Sequence, residues 1–132
     1  MGNLTKNYAT AIYEWLNTFA PTYREPLTEG MFDENNPKPN EYIVYSTVVN
    51  NFSQSYLQSI IIYSHSTAYT KLMEIVDRIE SAIGEFGLLK NYSWGNIKIY
   101  KGNPFYQDKI DEDSSYRAGY INLQISIYEK GE

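Results

Sequence analysis

The chain has 132 residues, 42% hydrophobic and 20% charged, the proportions of one folded domain and not of a disordered segment. Its formal charge of -5 and its 11 scattered basic residues lack the clustered Lys and Arg that nucleic-acid binding requires. With no Cys, disulfides, thiolate nucleophiles and Cys-based zinc sites are excluded together.

The N-terminus, Met1-Gly2-Asn3-Leu4-Thr5-Lys6, has no apolar signal region, and Lys6 stands where myristoylation wants Ser or Thr. The longest apolar run, Ile60-Ile61-Ile62-Tyr63, is too short for a membrane span, so a soluble, cytosolic chain with no membrane partner is expected. Residues Leu4 to Phe19 read as a helix, with Tyr8, Ile12, Trp15, Leu16 and Phe19 on one stripe, Asn3 as its cap and Pro21 as its stop. Residues 21–40 hold four of the five prolines and the turn-prone Asn35-Asn36-Pro37. They read as a long irregular loop, with at most a short strand around Leu27 to Phe32. Tyr42 to Val49 is apolar on both parities, as a strand inside a sheet requires, and Tyr56 to Tyr63 returns beside it as a hairpin. A second helix follows, capped by Ser66 or Thr67, with Leu72, Ile75, Val76, Ile79, Ile83 and Phe86 on its stripe and Gly87 at its stop. Ile97 to Tyr100 reads as a short strand, Gly102-Asn103-Pro104 as a turn, and Phe105-Tyr106 as a further strand. An acidic loop from Asp108 to Ser115 leads to the last strand.

That last strand, Tyr120 to Tyr128, is the clearest pattern in the chain. Ile121, Leu123, Ile125 and Ile127 fall on one parity, and Tyr120, Asn122, Gln124, Ser126 and Tyr128 on the other. One face belongs to a core and the other meets water or a partner. The 14 Tyr suit such a half-wet sheet, because a Tyr ring packs while its hydroxyl stays solvated. The element order predicts a single α+β domain over residues 1–132: two layers, a mostly antiparallel sheet packed on two helices, with the irregular loop 21–40.

No constellation for chemistry stands out. His65 lies beside Ser64 and Ser66 in a turn, which is no triad geometry, and reads as a surface or capping residue. Asp108, Asp111, Glu112 and Asp113 do not follow a calcium-loop spacing and read as a solvated loop or an acidic contact. Trp94, with Tyr92 and Tyr100 near it, suits stacking on a sugar or base, or packing under the sheet edge. No catalytic, cofactor or metal residues are therefore assigned.

Several segments together carry a family resemblance. They are Pro39-Asn40-Glu41-Tyr42-Ile43-Val44-Tyr45-Ser46, the strand Ile60 to Tyr63 running through Ser64 toward the helix of Leu72 to Ile83, and Phe105-Tyr106-Gln107-Asp108. Asp113-Ser114-Ser115-Tyr116-Arg117 then leads into the closing Ile-x-Leu-x-Ile-x-Ile-Tyr. This layout resembles the small tail terminator (tail completion) proteins of long-tailed bacteriophages and related head–tail joining proteins. The resemblance implies a ring, usually a hexamer, that is assembled in the bacterial cytoplasm and sits in the virion neck. Such a ring caps the tail tube and docks the head connector. The implied partners are further copies of the chain, the tail tube protein and the head–tail connector protein, with no cofactor and no specific nucleic-acid binding. Interface residues under this reading are Asp108, Asp111, Glu112, Asp113, Tyr116, Arg117, Tyr120, Asn122, Gln124 and Tyr128. The loops 108–116 and 30–40 become contacts ordered by binding, and Arg117 pairs with an acid across the subunit boundary. A head-closure component of the same machine and a monomeric ligand-binding module are the alternatives.

Overall fold

A computed structural model describes residues 4–25, 31–46, 55–65, 68–110 and 115–130. Its elements in chain order are α1 (Leu4–Leu16), β1 (Thr22–Arg24), β2 (Glu41–Tyr45), β3 (Tyr56–Ser64), α2 (Thr70–Ile83), β4 (Leu88–Tyr92), β5 (Gly95–Lys109) and β6 (Arg117–Glu129). The strands form one six-stranded sheet in the order β1-β2-β3-β6-β5-β4. The fold is α+β, and its sheet is mixed: β1 runs parallel to β2, while every other pair is antiparallel.

The helical stripes are buried because sheet and helices each have one apolar side. Tyr8, Ile12, Trp15 and Leu16 of α1, with Leu72, Ile75, Val76, Ile79 and Ile83 of α2, join the core. They meet Ile43 and Tyr45, Ile60 and Ile62, Ile97 and Ile99, and the four aliphatic residues Ile121, Leu123, Ile125 and Ile127. Each fully buried Ile or Leu contributes about 1.5–3 kcal/mol of transfer free energy, so this seam dominates stability. Among the described residues no helix is long and apolar enough to cross a membrane.

Several expectations change. The first helix ends at Leu16, and Asn17 to Phe19 close it as turns, with the Asn17 Oδ1 accepting from the Thr22 N–H. The 21–40 segment contains a strand after all, at Thr22–Arg24 and not near Leu27 to Phe32; residues 26–30 lie outside the described set. The second helix starts at Thr70 behind Tyr69, without a side-chain cap, so Ser66 and Thr67, outside the described residues, stand too far upstream. It stops at Gly84 (φ 74°), whose N–H bonds the Glu80 carbonyl, and not at Gly87. Phe86 therefore falls past the helix and is 85% exposed instead of joining the stripe. Leu88–Tyr92 is a strand that periodicity alone did not reveal. The pieces read as a short strand, a turn and another strand are one long β5, interrupted between Lys101 and Tyr106. Asp108 belongs to that strand and not to the loop.

Candidate functional site: the outer face of the sheet

Residue parity and register decide which side chains stand opposite the helices. On β2 they are Tyr42 and Val44; on β3, Leu57, Ser59, Ile61 and Tyr63; on β6, Ala118, Tyr120, Asn122, Gln124, Ser126 and Tyr128. On β5 they are Asn96, Lys98 and Tyr100 before the interruption, then Gln107 and Lys109 after it. Tyr23 of β1 and Leu89 of β4 complete the rows at the two edges.

One end of this face is an aromatic platform. Tyr42 stacks on Tyr63 with centroids 5.0 Å apart and planes 17° apart. Tyr23 meets Tyr42 edge-on at 6.1 Å, and Phe32 meets Tyr23 at 5.3 Å. Tyr116 sets its ring across both Tyr42 and Tyr63 and lies 4.8 Å from His65. The Lys38 ammonium fits between the Tyr116 and Tyr42 rings, at 4.7 and 5.1 Å, and Lys109 lies 5.9 Å above Tyr63. Desolvation pulls the Lys38 pKa down, but contact with the Tyr42 and Tyr116 phenols more than offsets it, and the net shift is upward. Each exposed cation–π contact contributes about 0.5–1 kcal/mol to the packing of the Lys38 side chain on the sheet. Tyr42 is consequently only 3% exposed. The chain fills this end with its own lysine.

The middle of the face is uncharged and held by amides. Asn122 accepts from the Ser59 hydroxyl (2.7 Å) and donates to the Pro104 carbonyl (2.9 Å), linking β3, β6 and the interruption in β5. Four β5 residues, Gly102 to Phe105, stand where β6 has only Asn122, and the Asn103–Pro104 peptide there is cis. Gly102 is required because a Cβ would lie 2.7 Å from the Asn122 carbonyl oxygen. Gln124 donates to the Ser55 hydroxyl. Leu57 at the start of β3, Leu89 on the edge strand β4 and Tyr128 near the end of β6 stand 49%, 49% and 56% exposed. Among the described strand residues that point outward, Lys98 and Lys109 are the charged ones, and no carboxylate appears.

The structure therefore gathers Tyr116, Tyr120, Asn122, Gln124 and Tyr128 on one side and separates them from Asp108 and Arg117. Asp108 pairs in register with Gly119, on the helix side, and accepts from the Tyr106 hydroxyl at 2.7 Å. Burial, together with that carboxylate, holds the Tyr106 phenol far above its usual range. Arg117 is opposite Ser64, also on the helix side; its guanidinium lies 5.7 Å over the Tyr69 ring and donates to the Tyr116 carbonyl. Asp111, Glu112 and Asp113 lie outside the described residues. Sequence reasoning missed Tyr23, Tyr42, Tyr63, Lys38, Lys98 and Lys109 as members of this face. Alternation within each strand assigned the parities, but which strands lie side by side is not written locally.

On the helix side, a groove of about 550 Å³ runs beside α1 and is lined by Lys6, Thr10, Tyr13, Arg24 and Tyr45. Trp94 stacks on Tyr92 at 5.1 Å and packs partly on the core, so one of its faces is already covered. The sequence matches no protein-family model, and no curated protein is similar enough to it to count as a relative.

Proposed function

We propose that this chain is a structural assembly protein of a phage neck, of the tail terminator type, which forms a ring that caps the tail tube and joins it to the head. Its body is read as a two-layer plate, with helices on one side and the outer sheet face as the contact surface. The observation that carries the assembly reading is the composition of that face: Tyr, amides and hydroxyls at its centre, with Leu57 at the start of β3 and Leu89 on the edge strand β4 exposed, and without carboxylates among the described strand residues. Depletion of charge and enrichment in Tyr distinguish the centres of protein interfaces from ordinary surface. The phage part of the reading comes from the order of segments from Pro39 to Tyr128. A head-closure component of the same machine uses the same surface and is the alternative.

The test is the mass of the purified protein by light scattering over a concentration series at low and moderate salt, alone and with the cognate tail tube protein. A discrete multi-subunit particle, free or on tube ends, supports the reading. A strict monomer that ignores the tube removes it.

A further inference from the structure

We infer that the groove between α1 and the β1–β2 edge binds a small organic oxyanion, a carboxylate or a phosphate ester, with Arg24 and Tyr45 holding its charged group. The site lies on the helix side, away from the outer sheet face, and is independent of assembly.

The sequence of α1 shapes one wall. Tyr8, Ile12, Trp15 and Leu16 turn into the core, which leaves Lys6, Ala9, Thr10 and Tyr13 along the flank. Ala9 precedes Tyr13 by one helical turn, and its small side chain keeps this wall hollow. Arg24 and Tyr45 form the other wall. They are partners in the parallel register of β1 and β2, so their side chains leave the sheet on the same side. The groove between the walls measures about 550 Å³, the size of a small-molecule site and far more than a bare ion fills.

Two observations point to an anion. The first is charge. Lys6 and Arg24 line the groove, no carboxylate stands among its described lining residues, and neither cation forms a salt bridge to a described residue. In a chain of net charge -5 this is a local excess of cation. The second is Tyr45. Its side chain is only 5% exposed, yet its hydroxyl makes no hydrogen bond to a described residue. Buried polar groups are nearly always paired, so an unpaired buried donor on a groove wall marks a place for an outside acceptor. Burial raises the Tyr45 phenol while the Arg24 charge pulls it back, so the guanidinium is felt at the phenol oxygen. Tyr13 acts on the same phenol, which places the polar ends of all three residues around one end of the groove. An oxyanion at that end accepts from the Tyr45 hydroxyl and from the Arg24 fork. Its organic part runs along Ala9 and Thr10 toward Lys6, whose charge adds attraction for an anion.

Calorimetric titration of the purified protein at low salt with phenyl phosphate, benzoate and inorganic phosphate tests this. Saturable binding of phenyl phosphate or benzoate is expected, weakening as salt rises. The tighter of the two tells a phosphate ester from a carboxylate. Arg24→Gln and Tyr45→Phe are each expected to weaken that binding about tenfold or more. Ala9→Phe, which fills the groove without changing its charge, is expected to abolish it. Thermal melts without ligand check folding. Tyr45→Phe should melt no lower than the wild type, because its hydroxyl has no described protein partner to lose. A clearly lower melt shows that this hydroxyl is already bonded, and overturns the inference. Inorganic phosphate bound as tightly as either organic anion means an adventitious ion only, and overturns it too. So does a wild type that binds none of the three, or binding that all three variants leave unchanged.

Discussion

Gln58 gives the sharpest test of how the scaffold under the outer sheet face is held. It is completely buried on the helix side of β3, against a core of Ile, Leu, Val, Tyr, Trp and Ala side chains. Its Oε1 accepts from the Tyr8 hydroxyl at 2.8 Å, and its Nε2 donates to the Ser46 and Ser59 carbonyls at 2.8 and 3.2 Å. This one amide ties α1 to the sheet. Tyr8→Phe removes a donor from a buried oxygen and is expected to cost about 1–3 kcal/mol, the penalty of leaving that group unsatisfied. Gln58→Leu keeps the volume but removes all three bonds, at about 2–4 kcal/mol. The double variant replaces the pair by apolar groups, which is far less costly than orphaning either partner. It should therefore be no less stable than Gln58→Leu alone, giving a coupling at least as large as the Tyr8→Phe cost, about 1–3 kcal/mol. Urea titrations of the four proteins, checked for constant m, measure the cycle, and thermal melts should move by about 3–5 °C per kcal/mol at this chain length. Costs that add to within about 0.5 kcal/mol would refute the reasoning.

Two further outcomes follow from single positions. Gly95 opens β5 at φ 153°, and a Cβ there would lie 2.0 Å from the Tyr128 carbonyl oxygen, so Gly95→Ala must push β5 and β6 apart. We expect a larger loss than for Gly84→Ala, where nothing lies within 4 Å and Ala meets only the backbone strain of φ 74°, about 1–3 kcal/mol. Equal losses in urea titration would show that the close approach costs nothing. Stability should also fall in alkali. Burial raises the Tyr45, Tyr92 and Tyr106 phenols, aided at Tyr106 by Asp108, and Lys38 is raised by its phenol partners. A folded pKa above the unfolded one gives stability that is complete below the unfolded value, near 10 for both residue types, and is lost as pH rises through the folded value. Melting temperatures should therefore decline from about pH 10 upward; a flat or rising profile there would contradict these assignments.

The sequence by itself determined the two faces of the chain. The alternation in Tyr120 to Tyr128 and the stripes of Tyr8 to Leu16 and Leu72 to Ile83 are local periodicities, set by the geometry of strand and helix, and each side chain fell where its parity put it. The same locality explains what was unreadable. β1 is three residues long and pairs in parallel with a strand nearly twenty residues away, so its existence depends on a register that no neighbouring residue encodes. β5 looked like separate pieces because its interruption is stabilised by Asn122 on another strand. Phe86 has the spacing of a core residue, yet the helix stops two residues before it at Gly84. Asp108 and Arg117 looked like neighbours of Tyr116 and Tyr120 along the chain, but a strand sends adjacent residues to opposite faces. Only the tertiary pairing of β2, β3, β5 and β6 brings Lys38, Lys98 and Lys109 onto one surface of an acidic protein, because charge segregation between faces is a property of strand order and not of composition.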